Sequence, residues 1–216
     1  MKSNSLVIAI DGTAASGKGT LGKKLAESYK IPYLDTGNLY RSVASLMLSE
    51  NVDLNDQGIA IRIAKSLDLK TVNVFNNRNI EVTNASSIIA QFEGVRNVLL
   101  DFQREFAKDG AVVDGRDIGT IVLPNADQKF YITASLEVRA KRRFEQYKEN
   151  NEKIDLKTIK YDIEARDKRD KERSIAPLKI ADDAIIIDTS NLCIKSVFDF
   201  AAGHINNNLN TNKYKV

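Results

Sequence analysis

"LVIAIDGTAASGKGT", residues 6–20, opens with five apolar residues, passes through Asp11 and Gly12, and ends in small residues around a single lysine. The run Leu6–Ile10 reads as a buried β-strand, and the residues after Gly17 have helical spacing. Gly12, Thr13, Ala14, Ala15 and Ser16 make a loop too small-residued to pack anything, and Gly17, Lys18, Gly19 and Thr20 open the helix. A strand, the pattern Gly12-x-x-x-x-Gly17-Lys18 and a helix together define a phosphate-binding loop. Glycines let backbone N–H groups turn inward around phosphate oxygens, the helix adds its free N–H groups and positive dipole end, and Lys18 reaches the β- and γ-phosphates of a nucleotide. A glycine-rich turn with an accidental lysine would share the letters but not the flanking strand and helix.

Outward from the loop, further apolar runs suit buried parallel strands: Tyr33–Leu34, Ala111–Val113, Phe130–Ile132 and Ala184–Ile187. Helical spacing fills the intervals at about Lys18–Tyr29, Leu39–Ser49, Asp56–Leu67, Ser87–Lys108, Leu136–Lys148 and Leu192–Leu209. Strands alternating with helices imply an α/β domain on a mostly parallel sheet. The stretch "LKTVNVFNNRNIEV" (69–82) breaks the rhythm and predicts a small hairpin around "NNRN". At 216 residues, one well-cored domain spanning 1–216 is expected. The chain is 43% hydrophobic and 28% charged with a formal net charge of +3, which demands neither a nucleic-acid nor a membrane partner. The single cysteine, Cys193, excludes an internal disulfide and a multi-cysteine zinc site, and fits a reducing cytoplasm. The opening residues MKSNS carry no signal-like apolar stretch, so a cytoplasmic protein is expected.

Residues 137–173 hold thirteen Lys or Arg and ten Asp or Glu, with sparse apolar positions, so this segment is expected to stay out of the core. Two solvated helices laced with i,i+4 ion pairs would account for it. So would a mobile cover whose arginines face a polyanion.

Gly19 departs from the commonest form of the loop. GTPases and many ATPases place a Mg²⁺-ligating Ser or Thr directly after the lysine. Here the hydroxyl comes one residue later, at Thr20, and no Asn-Lys-x-Asp guanine-reading motif appears. The ending Gly-Lys-Gly-Thr resembles that of the nucleoside-monophosphate kinases. Three more motifs follow: "LDTGNLYR" (34–41), "VVDGRDIGT" (112–120) and "ARDKRDKERSIAPL" (165–178). In order and spacing, over nearly the whole chain, the set resembles the bacterial cytidylate kinases.

That resemblance implies a three-layer fold of the P-loop NTPase type with five parallel strands. It adds a short acceptor-binding insert carrying the hairpin, within about 36–108, and a helical lid at about 150–176. It implies phosphoryl transfer from ATP to CMP or dCMP with Mg²⁺, which is held through phosphates and water rather than by direct side-chain ligands. Thr36, Arg96 and Asp117 would read the base; Arg41, Arg116 and Arg173 would bind the acceptor phosphate. Ser87, Arg166 and Asp170 would contact the ribose, and Tyr40 falls in the same acceptor motif. Arg142, from "RAKRR", would serve the transferred phosphoryl group beside Lys18, Arg116 and Arg173, and Asp114 would hold metal-bound water, with Asp35, after the second strand, a second candidate. Small-molecule substrates and a monomer are expected, with neither nucleic acid nor membrane. Where these kinases commonly carry a longer insert before the Arg96 helix, this chain has only "NIEVTNASSIIAQFEGVR" (79–96).

Elementary chemistry points the same way at several positions. Cytosine presents an amino donor and two acceptors on its pairing edge, which suits a carboxylate beside an arginine. Guanidinium forks bind phosphate bidentately and keep their charge. Arg166, Asp170 and Arg173 stand at i, i+4 and i+7, on one helical face. Blander accounts remain for single residues: a helix cap or loop ion pair for Asp117, a surface charge for Arg96, an Arg166–Asp170 ion pair, and turn aspartates for Asp114 and Asp35. His204 reads as structural and Cys193 as a packing residue. A different monophosphate kinase, a dephospho-coenzyme A kinase or a non-catalytic nucleotide binder would also carry the loop. The first two lack the Asp-Gly-Arg-Asp motif, and a binder has little use for so many phosphate-facing cations.

Overall fold

A computed structural model describes residues 6–68, 79–149 and 153–213, with side chains to 209. Five strands, β1 (Val7–Gly12), β2 (Tyr33–Asp35), β3 (Ala111–Asp114), β4 (Gln128–Thr133) and β5 (Ile185–Asp188), form one sheet in the order β2-β3-β1-β4-β5. Every pairing is parallel. Alternation along β1 shows why: Ile8 and Ile10 face one side and Ala9 the other, and both sides are covered. On the first side lie α1 (Lys18–Tyr29) and α8 (Ile194–Lys213), whose Leu21, Leu25, Val197 and Ala201 bury Ile8, Phe130 and Ile187. On the other side Ala107 of α5 (Glu93–Ala107) and Val122 of a π-helical turn (Ile118–Val122) close over Leu34 and Val113. From β1 the chain crosses outward to β2 on one flank and later to β4 on the other. The order therefore reverses beside β1, and its crevice lies at the carboxyl ends of the strands.

A second core belongs to α2 (Thr36–Ser49), α3 (Gln57–Ser66), α4 (Ile80–Ile89) and α5, packed around Leu39, Met47, Ile89 and Leu99. Asp56 caps α3 by accepting the Ile59 N–H at 2.9 Å. Two expectations are corrected here. Residues 79–82, expected to end a hairpin, instead begin α4, with Asn79 accepting the Val82 N–H at 2.7 Å. The rest of that hairpin lies outside the described residues. The single helix expected over Ser87–Lys108 is two helices, broken at Ala90–Phe92. A continuous apolar pattern runs through the break, and Gly94 is its only local signal: a Cβ there would lie 2.3 Å from Ile61 Cδ1.

The charged segment forms α6 (Leu136–Glu149) and α7 (Leu156–Glu172), capped by Asp155 on the Thr158 N–H. It is not wholly solvated as expected. Ala140, Tyr147, Ile159 and Ile163 make a small core of its own. Among the described residues, no helix is long and apolar enough to cross a membrane.

Candidate active site

The crevice beside β1 opens into a cleft of about 670 Å³, walled by the phosphate loop, α2, α4, the 114–117 turn, α6 and α7. Gly12 pairs with Ile132 so closely that a Cβ would sit 1.9 Å from the Ile132 carbonyl oxygen, and its φ of +145° is open only to glycine. Gly17 (φ +99°) turns the chain into α1, and Lys18 Nζ donates to the Thr13 carbonyl at 2.8 Å. Burial, with Arg116 close by, pushes the Lys18 ammonium down to about 7. The buried Ser16 hydroxyl makes no hydrogen bond among the described residues, a donor capacity that phosphate oxygens would fill.

Gly19 now has a physical reason. A Cβ there would lie 3.3 Å from the Tyr33 hydroxyl and 3.4 Å from Asp114 Oδ2. The Tyr33 ring lies across Gly22, and its hydroxyl donates to Asp114 Oδ2 at 2.6 Å. A tyrosine from β2 thus brings a hydroxyl to where the usual serine or threonine would stand. Asp114 and Asp35 are register partners at the carboxyl ends of β3 and β2. Burial, reinforced by Asp35, raises the Asp114 carboxyl to about 6. Two adjacent carboxylates beside Lys18 are a hard-oxygen donor set that fits hydrated Mg²⁺.

Past Asp114, guanidinium groups ring the cleft. Arg116 donates to Asp170 at 2.7 Å, and Arg166 lies 3.9 Å from the same carboxylate, its Nε buried with no hydrogen bond among the described residues. Burial, then repulsion from Arg116, holds Arg166 down at about 9. Burial alone would raise Asp170, but Arg116, Arg166 and Arg173 hold it below the ordinary carboxylate range. Arg41 pairs with Asp35 at 2.7 Å and with Asn38.

Also on the cleft wall, Asp117 takes an ion pair from Arg96 and a longer one from Arg173, at 3.4 Å. The helix break frees the Ala90 carbonyl, which accepts from Arg96 at 3.1 Å and from Arg173 at 3.5 Å. Arg96 is therefore no surface charge; it is buried and lies over the Tyr40 ring, 5.6 Å from its centre. Thr36 spends its hydroxyl on the Asp114 carbonyl at 2.8 Å, which fixes the turn. Ser87 accepts from both Arg169 Nε and Nη2, at 3.1 and 2.9 Å, and donates to Asn84. Arg142 donates to the Ser16 carbonyl at 3.2 Å and to Thr189, putting α6 against the loop.

The structure brings these positions around one cleft, but Gly12, Thr13 and Ala14 lie behind its wall. Thr13 N–H goes to Ile132, and both backbone groups of Ala14 are taken by Asp167 and Arg139. Arg139 falls in "RAKRR" and Asp167 and Arg169 in "ARDKRDKERSIAPL", but the motifs assign them no role, and Tyr33 lies outside every motif. Gly19 and Gly22, three apart on one helical face, are the signal that a ring packs there. Cys193 is exposed, 3.2 Å from the Ser196 hydroxyl, so it packs nothing. His204 stacks edge-on against Phe200 in α8, with no tie to the cleft.

Fold and cleft together define a phosphate-loop kinase: a five-stranded parallel sheet, a lysine at the loop, and a ring of arginines facing it. A gluconokinase from Sinorhizobium meliloti shares this fold, with a TM-score of 0.51 at 13% identity over 98% of each chain. The cytidylate kinase family model matches residues 8–207. The cytidylate kinase of Methylocella silvestris is 46% identical over 198 residues, 91% of this chain and 92% of that one. That of Xanthobacter autotrophicus is 47% identical over 195 residues, covering 89% and 93%. The chain belongs to the cytidylate kinase family.

Proposed function

We propose that the protein transfers the γ-phosphoryl group of ATP to CMP and dCMP, with Mg²⁺. One observation carries the choice of acceptor: Asp117 and Arg96 lie side by side, buried in the lining of the cleft. A carboxylate accepts from the cytosine amino group while an arginine donates to its ring acceptors. Uracil would turn a carbonyl toward the carboxylate. The Asp117–Arg96 ion pair offers an acceptor beside a donor for this edge, and Arg173 keeps the carboxylate from being a lone buried charge.

The reaction needs little covalent chemistry from the protein. The acceptor phosphate is a nucleophile near neutral pH, so catalysis consists of aligning two anions and countering the developing charge. In this reading the phosphate loop and Lys18 hold the donor, Arg142 anchors the loop's far side, and Arg41, Arg116 and Arg166 take the acceptor phosphate and ribose with Asp170. Mg²⁺, when bound, supplies positive charge across the donor oxygens, and Asp35 and Asp114 are the residues that would hold its waters. Residues 36–108 make the acceptor region, and residues 150–176, which include α7, act as a lid that excludes competing water. The working form is a cytoplasmic monomer.

Asp117→Asn tests the reading. It keeps the shape but offers an amide that tolerates either pyrimidine edge, so kcat/KM for CMP should fall and the CMP-over-UMP preference should narrow by about tenfold or more, the worth of one good hydrogen-bonded pair. An unchanged preference in a folded variant contradicts the role of Asp117.

A further inference from the structure

We infer that Asp167 and Arg139 form a clamp through which the acceptor-side helix α7 sets the shape of the phosphate loop, so that donor binding depends on the acceptor. The inference rests on the reading above for what occupies the two sides of the cleft.

The clamp closes on one residue. Asp167 Oδ1 accepts the Ala14 N–H at 3.1 Å, and Arg139 Nη1 donates to the Ala14 carbonyl at 3.2 Å. The two side chains are joined to each other at 2.5 Å, and Arg139 Nε is tied to the Ala134 carbonyl at 2.9 Å. All three residues are buried. The next residue, Ala15, holds φ of +57°, a left-handed conformation that is unfavourable for an alanine. Something must hold the loop there before phosphate arrives, and the clamp takes both backbone groups of the preceding residue. A bare carboxylate this close to a polyphosphate site would repel the donor; the Arg139 guanidinium cancels that charge.

The position of Asp167 gives the clamp its reach. It sits one residue from Arg166 and three from Asp170 on α7. At about 100° per residue, one helix presents Asp167 to the loop while Arg166 and Asp170 face the cleft near Arg116. A helix is stiff over four residues. When an acceptor's phosphate draws in Arg166 and its ribose hydroxyls donate to Asp170, the same body holds Asp167 more firmly on Ala14. Coupling of this kind is reciprocal: whatever factor the acceptor adds to donor affinity, the donor adds to acceptor affinity.

The test measures the affinity of a non-hydrolysable ATP analogue with and without CMP. In the wild-type protein CMP should tighten the analogue by about fivefold or more, the low end for coupled sites. In Asp167→Ala that ratio should fall to about 1, with CMP affinity measured alone within about twofold of wild type. A ratio as large as wild type in the folded variant overturns the proposal, as does a wild-type ratio of about 1. Because Asp167→Ala strands the Arg139 charge, the double variant Arg139→Met/Asp167→Leu, which buries no charge, carries the same measurement if the single variant does not fold. Hydrogen exchange without any nucleotide is the second arm. The Ala14 amide should exchange about tenfold faster or more in the variant, and equal rates overturn the clamp. If the protein takes a different monophosphate, the ratio is measured with that acceptor, so a wrong acceptor and a missing clamp give different results.

Discussion

Lys18 sits with its ammonium against the Thr13 carbonyl, buried, with Arg116 near enough to oppose its charge. Its pKa lies near 7, so close to physiological pH a sizeable share of the free protein holds this side chain neutral. A bound polyphosphate restores the charge, because an adjacent anion favours the protonated form. The sign follows: ATP binding takes up protons around pH 8, where free Lys18 is mostly neutral and bound Lys18 is charged. Calorimetry in buffers of different ionisation enthalpy should show this uptake in the wild type and lose it in Lys18→Ala, a variant that should also lose phosphoryl transfer by about 10²-fold or more. Equal proton uptake in the two proteins contradicts it. At this scale the sequence was a good guide wherever a motif fixed the backbone. Gly12, Gly17 and Lys18 are legible because their chemistry is local. The roles of Tyr33 and Asp167 were not, because each acts on the loop from a segment that only the fold brings near, though Asp167 itself lies in a quoted motif. The packing role expected of Cys193 failed for the opposite reason: one residue's type says little about its exposure.

Among the elements, the helix pair α4–α5 departs most from the sequence reading, and the departure matters to the site. A single helix through Ala90 would keep that carbonyl in its own ladder; the break hands it to Arg96 and Arg173. The apolar pattern could not show this, since each helix buries its face in the same core. Likewise, residues 79–82 are β-branched enough to suggest a strand, but the Asn79 cap and the helices α2 and α5 decide otherwise. Asn79→Ala therefore should cost about 1 kcal/mol in urea-induced unfolding. A hairpin end at this position predicts no such loss. Of the charged helices, α6 matches the expected Leu136–Lys148 closely, while α7 was expected only as one of a possible pair within 137–173, and their small core around Ile159 and Ile163 escaped notice among so many ionic residues.

For the molecule as a whole, the parallel sheet, its order and the position of its crevice follow from the alternation of apolar runs with helical spacing, which needs no side-chain detail. That order brings the end of β1 beside the ends of β3 and β4, and so sets the phosphate loop against the Asp114–Asp117 turn. The acceptor helices keep their own core, separate from the sheet, and α6 and α7 keep a third. Such a division suits relative movement around two substrates, with α7 touching both sides. The most direct measurement is a coupled assay with ATP and Mg²⁺ across CMP, dCMP, UMP, AMP and GMP. The highest kcat/KM is expected for CMP or dCMP, with ADP formed in step with the cytidine diphosphate and little without acceptor. Faster turnover of AMP or GMP would contradict it.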